Sequence, residues 1–211
     1  MKIAILGAEC TGKSTLAGQL AAALQRPDRH AVCLPEALRL WCETHGRAPQ
    51  AHEQPAIARA QTASLEQSSA DVVISDTSAW MTAVYSEVYF GDPTLYADAL
   101  PVQRRFDLTL VCGRDLPWVA DGVQRDGPAL QQRVDACLRQ RLDQYQLPYS
   151  LVYGAGADRL ACALQSIRHR LGEWPAADDA LGRWAWTCEK CSDPACEHRL
   201  FRRLLQDPPP Q

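Results

Sequence analysis

The sequence has neither an excess of basic residues nor a long apolar run. Its 211 residues carry a formal net charge of −3, whereas domains that bind nucleic acid are usually basic, so a nucleic-acid partner is disfavoured. No apolar run approaches the roughly 18 residues that a membrane-spanning helix needs, which disfavours a membrane partner. A cleaved signal peptide does not fit, because the first predicted strand begins at Lys2. We therefore expect a cytoplasmic protein.

Disulfides are also not expected, although the sequence contains nine cysteines. A reducing compartment keeps thiols unpaired, so we expect these cysteines to be free thiols or metal ligands. The sequence shows no internal repeat, and 46% of its residues are hydrophobic. A chain of this length can bury one full core, which predicts one domain with a small appendage.

The motif that organises the chain lies at its beginning. The apolar run Lys2–Leu6 is followed at once by Gly7-Ala-Glu-Cys-Thr-Gly-Lys-Ser14, which matches the P-loop pattern G-x-x-x-x-G-K-[ST]. In a P-loop, backbone N–H groups and a helix N-terminus bind phosphate together. Lys13 is predicted to reach the β- and γ-phosphates of ATP, and Ser14 is predicted to ligate Mg²⁺. The predicted ATP-binding residues of the loop are Gly7, Ala8, Glu9, Cys10, Thr11, Gly12, Lys13, Ser14 and Thr15.

Short strands and helices alternate along the rest of the chain. After the first strand, strands are predicted at residues 30–34, 71–75, 107–112 and 150–153. Helices are predicted at residues 12–24, 37–44, 53–69, 79–89, 98–105, 129–146 and 157–171. This alternation over short connections indicates right-handed βαβ units. The predicted fold class is α/β, a P-loop NTPase with a parallel five-stranded sheet flanked by helices.

Candidate catalytic side chains follow the predicted strands, where ligands bind in a parallel sheet. Glu36 follows the second strand, Asp76 the third and Arg114 the fourth. Phosphoryl transfer to a hydroxyl needs one carboxylate that takes the proton and one acid that holds Mg²⁺. We assign Glu36 as the base and Asp76 as the acid that orients Mg²⁺ or a ribose, although the two roles can be exchanged. Alternatively, each acid serves only the N-terminus of the following helix.

The polar segment of residues 113–128 is rich in Gly, Asp and Arg, which predicts a mobile lid. Arg125 is the first choice for a catalytic arginine, and Arg114 is a second ATP-binding candidate. Both would close over the triphosphate, neutralise charge in the transition state and expel water. The alternative is an ordinary surface loop of mixed charge.

Several segments of the sequence carry a family resemblance. They are GAECTGKSTL, Pro35-Glu36-Ala-Leu-Arg39, Ser75-Asp76-Thr77, Phe106-Asp-Leu-Thr-Leu-Val-Cys112, Leu116-Pro-Trp118-Val-Ala-Asp121-Gly-Val-Gln-Arg125, Tyr153-Gly-Ala-Gly156 and Arg159-Leu160. These segments resemble the ribosylnicotinamide kinase domain of NadR-type proteins. The resemblance covers about residues 1–171. It implies ATP- and Mg²⁺-dependent phosphorylation of the 5′-hydroxyl of nicotinamide riboside, giving nicotinamide mononucleotide. It also implies that the nucleoside is bound by Glu36, Arg39, Asp76, Trp118 and Asp121.

Two departures from the family pattern bear on this expectation. NadR-type proteins usually carry a DNA-binding and an adenylyltransferase domain ahead of the kinase, and we do not carry those roles over. Ser78 stands where the family often has a second acid, so a different nucleoside stays open as the acceptor. A nicotinamide ring is cationic and favours aromatic faces or acids. Four aromatic residues could supply such faces or be ordinary core residues, namely Trp41, Trp80, Tyr85 and Tyr89.

The composition changes after the predicted kinase domain of residues 1–171. Residues 172–187 are predicted to be a linker, residues 188–199 a zinc-binding knuckle and residues 200–211 a tail. The knuckle contains the pattern C-x2-C-x4-C-x-H, whose four soft ligands suggest a closed, structural Zn²⁺ site. Free thiols or an iron–sulfur cluster are the alternatives. The proposed ligands are Cys188, Cys191, Cys196 and His198.

Two other functional classes stay open at this point. One is a P-loop ATPase or nucleotide-dependent switch that signals to a protein partner through the C-terminal tail. The other is a zinc-organised binding module that uses the P-loop only for regulation. The sequence does not indicate the oligomeric state.

Overall fold

Five parallel strands form the centre of the fold. A computed structural model describes residues 1–118 and 127–171 of the chain. Its strands are β1 (Lys2–Leu6), β2 (Ala31–Leu34), β3 (Val72–Asp76), β4 (Leu108–Cys112) and β5 (Ser150–Val152). They lie in the order β2-β3-β1-β4-β5, and every pair of neighbours is parallel. The predicted α/β fold with a parallel five-stranded sheet is confirmed.

Helices connect these strands. They are α1 (Lys13–Leu24), α2 (Ala37–His45), α3 (Gln54–Gln67), α4 (Ala79–Phe90), α5 (Tyr96–Gln103), α6 (Pro128–Gln144) and α7 (Gly156–Leu171). Each predicted helix is present, and its ends differ from the prediction by about two residues at most. A short 3₁₀ turn, Ala51–Glu53, precedes α3 and was not predicted.

Each face of the sheet carries its own apolar layer, because successive side chains of a strand point to opposite faces. One layer packs Ile3, Ile5 and Ile74 of the strands against α1 and α7. The other packs Ala4 and Leu6 against residues of α4, α5 and α6. The central strands β1, β3 and β4 are therefore buried on both faces, as their continuous apolar runs indicate, whereas the outer strands β2 and β5 are partly exposed.

The strand order sets the positions of the predicted acids. Ile5 of β1 pairs with Asp76 of β3, and Leu34 of β2 pairs with Ser75 of β3. The carboxyl ends of β1, β3 and β2 therefore lie side by side at one edge of the sheet. Since β3 intervenes, β2 is two strands away from the P-loop that follows β1, as expected for a strand that faces the phosphate acceptor.

Several predicted residues lie outside the described part of the chain, in residues 119–126 and 172–211. They include Asp121 and Arg125 of the predicted lid, and the whole of the predicted linker, zinc-binding knuckle and tail. The Cys/His extension therefore stays a prediction. Within residues 1–118 and 127–171, no group of three or more His, Cys, Asp or Glu side chains could hold a metal ion. No helix in the same residues has the length and apolar character needed to cross a membrane.

Candidate active site

The P-loop joins β1 to α1 and is bent by residues with positive φ angles. Gly7 has a φ of +149°, Cys10 of +57° and Gly12 of +74°. A Cβ atom on Gly7 would lie 2.9 Å from Thr11 Oγ1 and 3.1 Å from the carbonyl oxygen of Cys112, so the close approach of these backbones requires glycine. Thr11 Oγ1 donates a hydrogen bond to the Ala8 carbonyl oxygen at 2.7 Å, which closes the loop on itself.

Lys13 begins α1 and is almost completely buried, with 6% of its surface exposed. Its Nζ donates a hydrogen bond to the Ala8 carbonyl oxygen at 2.8 Å, so the ammonium lies over the loop and not in solvent. Ser14 follows it with a partly exposed side chain. A buried ammonium at the positive end of a helix is suited to binding phosphate.

Arg159 of α7 connects the P-loop to the segments that follow two other strands. It is 4% exposed, and its Nη2 donates to the carbonyl oxygens of Thr11 at 2.8 Å and Gly113 at 3.0 Å. Its Nη1 donates to the Gly154 carbonyl oxygen at 2.7 Å and to Asp115 Oδ1 at 3.0 Å. One guanidinium therefore holds together the P-loop and the segments that follow β4 and β5.

Glu36 and Asp76 lie at neighbouring strand ends, and both are buried, with 8% and 4% of their surfaces exposed. Glu36 is the N-cap residue of α2, but its side chain makes no capping hydrogen bond. Asp76 is the last residue of β3, and Ser78 caps α4 in its place. The alternative assignment of Asp76 as the N-cap of the next helix is therefore wrong.

The electrostatic surroundings of Glu36 connect it to the P-loop. Burial is the main cause that raises the pKa of the Glu36 carboxyl. Lys13 and Arg39 oppose this rise, whereas the negative charges of Asp76 and Glu9 add to it. Arg39 Nη2 lies 3.7 Å from Glu36 Oε2. A carboxylate with a raised pKa is better matched to proton transfer near neutral pH than an ordinary glutamate.

Asp76 keeps one carboxylate oxygen, Oδ1, buried without a hydrogen-bond partner in the described residues. An unpaired buried polar atom costs on the order of 1–3 kcal/mol, so it calls for an explanation. The next residue, Thr77, has a φ of +71°, which is uncommon for a β-branched residue. Backbone strain and an unpaired acid at one strand end are typical of a ligand site. Carboxylate oxygens are ligands that Mg²⁺ prefers, so Asp76 fits such an ion.

Tyr85 and Tyr89 of α4 lie beside these acids. Tyr85 is 5% exposed, and its burial, followed by the charges of Glu36 and Glu9, raises its pKa well above the ordinary value. The phenol therefore stays neutral. Tyr89 donates its hydroxyl hydrogen to Glu9 Oε1 at 3.1 Å. Two of the four candidate aromatic residues are thus close to the acids.

The other two candidate aromatic residues lie elsewhere. Trp80 is completely buried, with its ring centroid 4.9 Å from Tyr96 and 5.4 Å from Tyr145, and belongs to the core. Trp41 stacks on His45 within α2 at 4.0 Å.

Residues 2–159 match a protein-family model described as AAA domain. The chain belongs to this AAA domain family. No curated protein matches the chain in sequence.

The AAA domain is similar in fold to several solved structures. A crystal structure of NadR with NAD and AMP-PNP is 19% identical, with a TM-score of 0.64 over 85% of this chain and 51% of that chain. A crystal structure of NadR with NR is 18% identical, with a TM-score of 0.65 over 85% of this chain and 52% of that one. This chain therefore spans about half the length of those NadR chains. The resemblance to NadR is confirmed, and at these identities it establishes a shared fold.

A smaller kinase shares the fold over its whole length. The deoxyadenosine kinase from M. mycoides with bound dATP is 15% identical, with a TM-score of 0.55 over 80% of this chain and 99% of that chain. The AAA domain therefore has the fold of a complete small nucleoside kinase.

Three other residues of the AAA domain that the sequence analysis singled out as bearing on ligand binding are described by the structure. Arg114 Nε lies 3.5 Å from Asp135 Oδ2 of α6. The indole nitrogen of Trp118 is buried and has no hydrogen-bond partner in the described residues. Ser78 accepts a hydrogen bond from Trp80 N at 3.2 Å and donates one to Gln103 Oε1 at 2.7 Å. The Ser78 hydroxyl thus serves the fold of the AAA domain.

Two residues that secure the P-loop had no predicted role. One is Arg159, which belongs to a segment that resembles the NadR-type proteins, and the other is Gln131 of α6, whose Nε2 donates to the Glu9 carbonyl oxygen at 2.7 Å. Both reach the loop from more than 100 residues away along the chain, so local sequence patterns did not indicate these contacts.

Proposed function

We propose that this chain is an ATP-dependent kinase that transfers the γ-phosphoryl group to the 5′-hydroxyl of a nucleoside. The preferred acceptor is nicotinamide riboside, and the product is nicotinamide mononucleotide. The observation that carries the proposal is the pair of buried acids, Glu36 and Asp76, at the strand ends next to the P-loop. The fold shared with NadR and with a nucleoside kinase supports it.

The P-loop backbone and Lys13 bind and orient the phosphates of ATP. The N–H groups from Gly7 to Thr15 and the N-terminus of α1 supply hydrogen bonds and positive charge. Lys13 moves its hydrogen bond from the Ala8 carbonyl oxygen to a phosphate oxygen. Mg²⁺ held by Ser14 and Asp76 would offset the negative charge of the phosphates.

Glu36 is the proton acceptor in the transfer. The 5′-oxygen forms a bond to the γ-phosphorus, the bond from that phosphorus to the oxygen of ADP breaks, and the proton of the hydroxyl passes to Glu36. The position of β2, two strands from the P-loop, leaves space for a sugar between the base and the phosphate. Asp76 on the intervening strand can also contact that sugar.

A cationic acceptor suits the charges around this space. Glu9 and Asp76 lie close enough to Glu36 and Tyr85 for their negative charges to raise the pKa of both groups. The rings of Tyr85 and Tyr89 lie 6.3 Å apart, and the Tyr89 hydroxyl is hydrogen-bonded to Glu9. A pyridinium ring is attracted both to carboxylates and to aromatic faces, whereas a neutral base gains only the stacking.

The remaining assignments belong to this proposal as predictions from the sequence. Arg114 and Arg125 close over the triphosphate, and Arg39, Trp118 and Asp121 contact the nucleoside. A structural Zn²⁺ site in the C-terminal extension, and a protein partner for that extension, are proposed on the sequence pattern alone.

The test is the formation of ADP by the purified full chain with Mg·ATP and a panel of nucleosides, with the product masses recorded. We expect nicotinamide riboside to gain one phosphate and to have the highest kcat/KM of the panel. The sharpest comparison uses the reduced, uncharged form of the same nucleoside, whose kcat/KM should be lower because the ring has lost its positive charge. Preference for a neutral nucleoside would keep the kinase and reject the acceptor. ATP hydrolysis that no nucleoside alters would reject the kinase in favour of a nucleotide-dependent switch.

A further inference from the structure

Gln61 lies on the buried face of α3 and is 3% exposed. Its Oε1 accepts a hydrogen bond from the backbone N–H of Ala37 at 2.7 Å. Its Nε2 donates to Ser75 Oγ at 3.1 Å and lies 3.4 Å from the carbonyl oxygen of Pro35. Both ends of the carboxamide are therefore used, and each partner is next to a residue of the candidate active site.

The partners of Gln61 surround Glu36 along the chain. Pro35 precedes Glu36 and Ala37 follows it, so one carboxamide contacts the backbone on both sides of the proposed base. The contact with Ser75 ties this backbone to β3 at the residue before Asp76. The Gln61 side chain thus adds a direct connection between the backbone around Glu36 and the strand that carries Asp76, beside the pairing of β2 with β3.

The start of α2 has few other contacts with the core, among them the packing of Leu38 against one apolar layer. Cys42 is its one buried residue, and the side chain of Glu36 does not cap the helix. Helix starts leave N–H groups without partners inside the helix, and a side chain normally satisfies them. Gln61 supplies that partner from α3, so the Glu36 carboxylate is not used as a cap.

We propose that Gln61 is a positioning residue for phosphoryl transfer, which holds the Glu36 carboxylate in register with Asp76 and with the acceptor hydroxyl. This inference rests on the proposed function, because it assigns Glu36 as the base. It does not depend on which nucleoside is the acceptor.

The carboxamide is needed because it donates and accepts at the same time. Methionine has a similar length and can do neither with comparable strength. A carboxylate at this position keeps the bond from Ala37 but loses the donation to Ser75. It also adds a negative charge near the two acids. Gln61→Met and Gln61→Glu therefore separate the loss of position from a change of charge.

The first experiment measures kcat and the Kd for Mg·ATP in the Gln61→Met variant of the full chain. A misplacement of about 1 Å at a reacting group costs roughly 10²-fold in rate, so we expect kcat to fall by about 10- to 100-fold. The Kd for Mg·ATP should change by less than about twofold, because the P-loop is not touched. The matched control is Gln67→Met, at the exposed end of the same helix, which should leave both constants unchanged.

A second variant tests whether Gln61 acts on kcat through its contact with Ser75. Ser75→Ala removes one of the Gln61 contacts and should lower kcat less than Gln61→Met. The double variant should be no slower than Gln61→Met, since both substitutions break the same connection. Additive losses, or an unchanged kcat in a folded Gln61→Met variant, would overturn the proposal.

The pH dependence of kcat gives a readout that a purely structural role would not change. The charged or titratable groups that act on Glu36 come from four elements and the P-loop. Gln61→Met should move the acid limb of the kcat profile to lower pH, because a displaced Glu36 carboxyl becomes more solvated, whereas Gln61→Glu adds a negative charge and should move the limb to higher pH. An unmoved acid limb would count against the proposal. The charged or titratable groups that act on Glu36 in the wild type are Lys13 of α1, Arg39 of α2, Asp76 of β3, Tyr85 of α4 and Glu9 of the P-loop.

A measurement without turnover keeps this inference separate from the proposed function. If no nucleoside is phosphorylated by the wild-type chain, the proposed function fails. The titration of Glu36 can still be followed by NMR of protein carrying ¹³C-labelled glutamate, with Glu36→Gln used for assignment. We expect the Gln61→Met variant to titrate Glu36 closer to an ordinary glutamate, because the carboxyl becomes more solvated. Identical titrations in the two proteins would overturn the positioning role.

Discussion

Two glutamates, Glu36 at the sheet edge and Glu87 on α4, have environments that shift their pKa values in opposite directions. Glu87 accepts hydrogen bonds from Arg141 Nε at 2.8 Å, from the Tyr96 hydroxyl at 2.8 Å and from Cys137 Sγ at 3.2 Å. The hydrogen bonds from Arg141 are the main reason why the pKa of Glu87 falls to about 2. Burial instead raises the pKa of Glu36.

The difference separates side chains that stabilise the fold from side chains that we propose are available for a ligand. Around Glu87, residues of α4, α5 and α6 satisfy one another, and Arg141 also lies 5.3 Å from the centre of the Tyr96 ring. At the sheet edge, Asp76 Oδ1 has no hydrogen-bond partner among residues 1–118 and 127–171, and Glu36 does not cap its helix. Buried acids without full pairing are costly, so their presence indicates function.

The largest expected effect tests whether the sheet edge is catalytic. Lys13→Ala removes the ammonium from the P-loop, and we expect kcat/KM to fall by at least about 10³-fold, because one charged contact to the transition state is lost. Steady-state ADP formation measures this. The control is Lys2→Ala at the start of β1, which should have little effect. Near-normal turnover in Lys13→Ala would contradict the P-loop assignment.

The next prediction concerns Glu36 itself. Glu36→Gln should lower kcat by about 10²-fold while the affinity for ATP is kept, because a general base is lost. In the wild type, kcat should fall in acid around a pKa above that of an ordinary glutamate, since the base must be ionised and burial raises its pKa. The control is Glu43→Gln on the same helix. An unchanged kcat in Glu36→Gln would move the base role to Asp76.

A smaller effect, on stability alone, is expected at the other glutamate. Glu87→Gln should lower the free energy of unfolding by about 2 kcal/mol, since hydrogen bonds to a charged group are lost. This corresponds to a decrease in Tm of about 5 °C. The control is Glu66→Gln, which removes an exposed pair with Arg105 and should change Tm little. A loss of kcat in Glu87→Gln at a temperature where the variant is folded would contradict a role for Glu87 in stability alone.

The pH dependence of stability gives a further test of Glu87→Gln. The pKa of Glu87 is lowered by folding, from 4.5 to about 2. Its contribution to stability is therefore complete above pH 4.5 and is lost as the pH falls towards 2. Over this range the wild type should lose more stability than Glu87→Gln, as measured by urea unfolding at a series of pH values.

The smallest expected effect is at Ser78, where the structure provides a role in the fold. Ser78→Ala should cost about 1 kcal/mol in stability, because α4 loses its N-cap. The ratio of kcat/KM values for cationic and neutral nucleosides should stay within about twofold of the wild type. A large change in that ratio would show that Ser78 contacts the acceptor after all.

Much of the fold and the phosphate side of the site could be predicted from the sequence, because both are encoded locally. The P-loop spacing and the apolar strand runs identify β1, α1 and the parallel sheet. The acceptor side was harder to predict, because Trp80 and Tyr85 both belong to the buried core of α4, and the structure is needed to show that Tyr85 is also affected by the charges of Glu36 and Glu9. Gln61 had a signal in the sequence that was not used, since two glutamines share the apolar stripe of α3. This stripe consists of Gln54, Ile57, Ala58, Gln61 and Leu65.

The order of the strands also determines the distance between the carboxyl ends of β1 and β2. Neighbouring strands lie about 4.8 Å apart, so the ends of β1 and β2, with β3 between them, are separated by about 10 Å. Backbone hydrogen bonds set this spacing of the strand ends, whereas in our proposal the Gln61 side chain places the Glu36 carboxylate at the end of β2. Substitution of side chains that would contact the nucleoside can therefore change which molecule accepts the phosphoryl group, while the strand ends keep their spacing.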